Sequence, residues 1–165
     1  MAVPGKGGHK MNDPIATSAE AMENAVMPQA RVAHCDPNAP ETCEQRPLPQ
    51  SMSKKPPEQK SPAEWAYERI ILYIQNFEEQ LDSNHEVGMG FAGGDVGSIR
   101  IQGVGFFAPD LITFYGSDEA GAKTQLVQHV SQLSVMLRSA RELHEDAAPN
   151  RIGFNLAASL EKDAG

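Results

Sequence analysis

Aromatic residues are missing from the first sixty-four positions. All ten Phe, Tyr and Trp of this 165-residue chain lie from Trp65 onward. The same early stretch holds nine of the twelve prolines within residues 1–60. A segment so composed buries too little apolar surface to offset its ordering entropy, so residues 1–60 are expected to form a disordered arm. Cysteine is almost absent. Cys35 and Cys43 both fall in that arm, so the aromatic half relies on no disulfide. No run approaches the roughly 18 apolar residues of a membrane span, and Met1–Gly8 lacks the apolar stretch of a secretory signal. A cytoplasmic location with no membrane partner is the expectation. Basic residues are scarce where aromatics are plentiful. Residues 61–165 carry seven Lys and Arg against fifteen Asp and Glu, while 1–60 carries seven of each, so the whole net charge of −8 sits in the second half. An acidic surface repels phosphate backbones, and no nucleic-acid partner is expected.

What is present begins at Ser61. Ser61 suits an N-cap, Pro62 the first helical position, and Glu64 the third position of a capping box. Ala66, Ile70, Tyr73, Ile74, Phe77 and Leu81 then recur at helical spacing, predicting a core-facing helix that ends near Asp82. Trp65, Ile71 and Leu72 widen the apolar arc. Such a helix is expected to be covered on more than one side, by a sheet and by another helix or a second subunit. Within 1–60, Thr17–Met27 could form a marginal helix, and Lys54–Lys60 reads as a solvated linker.

Strand signals follow. Val87, Met89 and Phe91 alternate with Gly88 and Gly90. Ile99 and Ile101 alternate with Arg100 and Gln102, and Gly103 shifts the phase, as a bulge does. Leu111–Tyr115 and Thr124–Val130 flank the turn residues Ser117–Ala122. The expectation is an α+β domain over residues 61–162 with a four-stranded antiparallel meander. A second long helix is expected from Ser131, with Leu133, Met136, Leu137, Ala140 and Leu143 inward. A short final helix is expected over Arg151–Lys162, with Ile152, Leu156 and Leu160 four apart and Asn150 as its cap, a brief strand at Ile152–Phe154 being the other reading.

Three stretches carry a family likeness: Pro62–Ile70, the hairpin from Phe114–Gly116 to Leu126–Leu133, and Arg151–Phe154. Together they resemble an uncharacterised bacterial family of domains of unknown function, of alphaproteobacterial type, over about residues 61–160. The resemblance implies one compact domain behind a variable arm and transfers no catalytic residue.

Candidate chemistry is thin. Gly88–Gly93 matches G-x-G-x-x-G, but a dinucleotide site needs a strand before it and a helix after it, and here a helix precedes and a strand follows. His34, Cys35 and Cys43 are too few and too far apart for a structural zinc site. Asp82, His85 and Glu86, with Glu78 and Glu79, could hold a divalent cation, yet they lack calcium-loop spacing. Gln128, His129, Ser131 and Gln132 contain a Ser/His pair without a nucleophile elbow. Ser131 reads more simply as a helix cap, and Arg138 and Arg141 as exposed helix charges. No cofactor and no metal is expected. The expected role is non-enzymatic protein association, with a protein partner or a second copy. The contact surface is assigned to Trp65, Tyr67, Ile71 and Leu72. Two other roles stay open: a small-molecule or metal-dependent enzyme with its site beside the glycine-rich hairpin, and a component of a phage-like or secretion particle.

Overall fold

The computed structural model describes residues 30–91, 97–141 and 151–163. In chain order these form a 3-10 turn at Cys43–Gln45, the short helix α1 (Gln50–Ser53), a 3-10 turn at Pro57–Gln59 and the long helix α2 (Pro62–Glu79). Five strands follow: β1 (His85–Phe91), β2 (Ser98–Phe107), β3 (Leu111–Ser117), β4 (Lys123–His129) and β5 (Val135–Arg141). A 3-10 turn at Val130–Gln132 separates β4 from β5, and α3 (Ile152–Asp163) ends the domain. The strands make one antiparallel sheet in the order β4-β3-β2-β1-β5.

α2 starts where its sequence signals place it. The Ser61 hydroxyl accepts the Glu64 N–H at 3.2 Å, and Pro62 occupies the first turn. The Glu64 carboxylate does not fold back to the cap; it pairs with Lys55 at 3.0 Å. Ala63, Ala66, Ile70, Ile71 and Ile74 are buried. Tyr73, expected in that stripe, is 45% exposed and points its hydroxyl at Glu44.

The sheet's inner face supplies Val87, Met89, Ile99, Ile101, Val104, Ile112 and Phe114 to the same core. α3 adds Ile152, Leu156 and Leu160, the residues its four-residue spacing marks. The bulge expected at Gly103 is present: the β2–β3 register shifts between Ile101 and Gly103. Gly116 on β3 is what permits it. A Cβ there would lie 2.0 Å from the Arg100 carbonyl oxygen, closer than any side chain can sit.

The second long helix is absent. After the 3-10 turn, Val135–Arg141 is strand β5, paired along β1 from His85↔Arg141 to Phe91↔Val135. The sheet therefore has five strands where a four-stranded meander is expected. Leu133, Met136, Leu137 and Ala140 fit a helical period, but the stretch also alternates. Val135 and Leu137 pack against the core, while Met136 and Arg138 lie outward. Gly88 and Gly90 of β1 stand opposite Arg138 and Met136. The open edge of β1 decided between the two periods, as tertiary context often does for short apolar runs. Leu143 and Asn150 lie outside the described residues, as does Thr17–Met27.

β4 and β5 occupy opposite edges of the sheet, yet only residues 130–134 connect them. Four strand spacings in a flat sheet amount to about 19 Å, and because four antiparallel pairings leave β4 and β5 running the same way, the link must also return along the strands. A five-residue connection containing a 3-10 turn reaches about 17 Å. The sheet must coil to bring the two strand ends within that reach.

Residues 43–60 lie over both helices, the Cys43–Gln45 turn on α2 and α1 on α3. Met52 is 2% exposed. Lys60, expected in a solvated linker, is buried: its ammonium donates to the Met52 carbonyl at 2.5 Å and to Glu68 at 2.6 Å, and lies 4.5 Å from the Trp65 ring centre. This segment forms a strap that covers the side of α2 turned away from the sheet.

Gly116→Ala is expected to destabilise the domain by about 3 kcal/mol or more, at the upper end of overpacking effects. Urea unfolding measures it; a loss under about 1 kcal/mol would show that the bulge adapts.

Candidate functional site

Burial removes one of the four residues assigned to a contact surface and leaves the other three half-buried. Ile71 is fully buried in the domain's own core, which removes it from any outward face. Tyr67 packs against Phe106 with ring centres 5.0 Å apart. Trp65 is held between Lys60 and Arg69, whose cations lie 4.5 and 4.9 Å from its ring centre. Leu72 lines a small cavity of about 130 Å³ with Cys43, Pro47, Pro49 and Asn76. The second side of the helix's apolar arc is thus covered by the strap.

The strap is fastened by polar contacts. Tyr73 donates to Glu44 at 2.5 Å, Asn76 donates to the Glu41 carbonyl at 3.1 Å, and Arg46 pairs with Glu79 at 2.8 Å. The bond to Glu44, then burial, pushes the Tyr73 phenol up to about 12. The same bond lowers the Glu44 carboxyl. Burial, with Glu44 beside it, raises the Cys43 thiol to about 11, so this is an unreactive thiol rather than a nucleophile. Cys35 is free and exposed.

The acidic corner disperses. Asp82 meets His85 at 2.5 Å and accepts the Asn84 N–H, and both contacts lower its carboxyl. Glu86 lies 3.4 Å from Arg100, and Glu79 is taken by Arg46. Among the described residues no group of three His, Cys, Asp or Glu could hold a metal ion.

Glu78 is 7% exposed and turns to α3. Its two carboxylate oxygens accept the N–H groups of Gly153 and Phe154 at 2.9 and 3.2 Å. A carboxylate at a helix N-terminus satisfies two orphan donors and complements the helix dipole. A Cβ on Gly153 would stand 2.8 Å from the Gln75 Cα, so glycine lets α3 touch the α2 backbone. Arg151 donates to the Asp82 carbonyl at 2.9 Å and the His85 carbonyl at 3.4 Å. The Arg151–Phe154 motif is a docking joint. It borders an open depression of about 450 Å³ with Gln75, Glu79 and Leu81.

The Ser/His pair does come together, in a chain with Asp110. His129 Nδ1 lies 2.7 Å from Ser131 Oγ, and Nε2 lies 3.2 Å from Asp110. Nδ1 also accepts the Ser131 N–H at 3.1 Å, so Nε2 carries the proton that faces Asp110. In a hydrolase triad the carboxylate holds Nδ1 and the serine meets Nε2; here the two nitrogens are exchanged. The imidazole caps the 3-10 turn, with Gln132 reaching back to the His129 N–H. These groups are therefore committed to the turn. His129, rather than Ser131, is the cap. Gln128, expected to satisfy backbone, leaves its buried carbonyl oxygen without a partner.

Gly88 and Gly90 lie inside the sheet, bordered by β2 and β5, and a Cβ on either would meet the Ala140 or Met136 side chain at van der Waals distance. Residues 92–96 of the glycine motif lie outside the described residues.

The surface left open is the sheet itself. Both helices cover its inner face. On the outer face Phe107 is 74% exposed, Val127 and Met136 are each 55% exposed, and Tyr115 is 42% exposed. Val127 belongs to β4 and Met136 to β5, the two edges. Reading Met136 as the inward stripe of a helix hid this feature from the sequence. The alternation Val135-Met136-Leu137-Arg138 was the signal that could have revealed it.

These observations define the class: an α+β domain with a coiled five-stranded antiparallel sheet, two helices on one face and no described element on the other. The chain belongs to DUF6173, a family of unknown function whose model matches residues 59–155. No curated protein and no solved structure matches it. No described helix is long and apolar enough to cross a membrane.

Two outcomes are expected. Glu78→Ala should cost about 1.5–3 kcal/mol, the range for hydrogen bonds to a charged group, and Glu78→Gln less, with faster hydrogen exchange at the Gly153 and Phe154 amides. The strap should also depend on pH. Glu44's lowered carboxyl contributes above its ordinary value of about 4.3 and is lost as pH falls through the folded value. Tyr73's raised phenol contributes below its ordinary value of about 10 and is lost as pH rises through the folded value. Ultraviolet titration should show one phenol ionising near 12, moving toward 10 in Glu44→Gln.

Proposed function

We propose that this is a non-enzymatic protein-association domain whose contact element is the open side of the sheet. The observation that carries the reading is a pair of edges that no described strand covers. Exposed edge strands present rows of unpaired N–H and C=O groups, and proteins that stay monomeric blunt them with proline, bulges or charges. β4 and β5 each pair with a described strand on one side only. Neither contains proline, and no register shift is found in the β3–β4 or β1–β5 ladder. The stretches Thr124–Gln128 and Val135–Leu137 carry no charge. Exposed Val127 and Met136 lie on those same strands and favour contact over solvent. The helical surface first assigned to association is engaged within the chain, so the sheet takes over that role.

Light scattering on the full chain across micromolar concentrations tests it. A mass above 17.9 kDa is expected, with Val127→Lys or Met136→Lys weakening assembly at least about tenfold, near 1.4 kcal/mol. A strict monomer, or assembly indifferent to both charges, defeats the reading.

A further inference from the structure

Resting on that association, we infer that the partner of each edge is the opposite edge of another copy, β4 of one chain lying beside β5 of the next. Both strands are seven residues long, and each offers the unpaired backbone row that the other requires. Hydrogen-bond complementarity therefore needs no foreign strand.

Pairing like with like would leave the molecule unfinished. A β4–β4 dimer keeps two free β5 edges, and a β5–β5 dimer keeps two free β4 edges. One head-to-tail contact, repeated, uses both edges with a single kind of interface, and such heterologous contacts build assemblies larger than two. Side chains agree with this arrangement. Val127 faces outward opposite Thr113, and Met136 outward opposite Gly90. Joining β4 to a neighbour's β5 continues the sheet and brings one molecule's Val127 onto the same face as the next molecule's Met136. Both are 55% exposed in the single chain. Lys123 sits at the start of β4, and Arg138 and Arg141 in the second half of β5. These like charges disfavour registers that juxtapose them and so limit how the strands slide. Coiling of the sheet turns the two edges away from a common plane, so successive copies are rotated rather than stacked flat.

The test uses the full chain with Cys35→Ser and Cys43→Ser. Val127→Cys is placed in one preparation and Met136→Cys in another, of different tag length. Each is treated with a short bismaleimide alone, and untreated portions of the two are mixed, re-equilibrated and then treated in the same way. The expected result is a mixed-length crosslinked pair, no product above background in either preparation alone, and a light-scattering mass above that of two chains. An oligomer that crosslinks only within one preparation overturns the head-to-tail contact and leaves association standing. An oligomer with no crosslink overturns the edge contact altogether. A monomer overturns this inference and the association reading together. The Val127→Cys/Met136→Cys chain should give a ladder of crosslinked multimers, and a product that stops at two chains counts against the inference.

Discussion

Two helices touching backbone to backbone close this domain. α3 reaches α2 only because residue 153 is glycine and because Glu78 presents a carboxylate to the start of α3. The contact sets how far Ile152, Leu156 and Leu160 enter the core. Those three residues cover inner-face side chains that α2 alone does not shield. A buried carboxylate is unfavourable unless its oxygens find donors, so Glu78 makes the joint selective as well as tight. The Arg151 contacts to the carbonyls of Asp82 and His85 anchor the same end to the turn before β1. Helix pair and sheet are thereby tied at one corner.

With the inner face so occupied, chemistry has little room. Carboxylates that cluster in sequence between residues 78 and 86 point to separate partners. The Asp110–His129–Ser131 chain spends its donors on a turn. The glycines of β1 stand opposite long side chains of β5. What the described residues leave without a strand partner is backbone: the outer rims of β4 and β5. For that reason the association reading moves from α2, where a wide apolar arc suggests it, to the sheet, where the hydrogen-bonding groups are unspent.

Much of this architecture is legible in the residues. The Ser61-Pro62 start of α2, the phase shift at Gly103 and the four-residue spacing in α3 each reflect a local physical rule, and each appears where it is read. β5 was not legible in the same way. The eight-residue stretch from Leu133 to Ala140, with Met136 and Leu137 between them, satisfies both periods. Its state depended on β1 having a free edge lined by glycines opposite the long side chains, a fact about distant residues. The strap was hidden for a related reason. Met52 and Lys60 are ordinary members of a Pro-rich stretch until Glu68 and Trp65, on a neighbouring helix, give them somewhere to go. Composition averages over such single anchors.

The pairing of Lys60 with Glu68 bears on where this globule can be trimmed. Composition invites a cut just before Ser61. Such a fragment would discard the cation that pairs with Glu68, together with the buried methionine whose carbonyl the same ammonium holds. The carboxylate would lose a charged hydrogen bond, worth about 1.5–3 kcal/mol, and the apolar surface that shelters Met52 would open to water. The practical left-hand limit of the folding unit is therefore upstream of Met52.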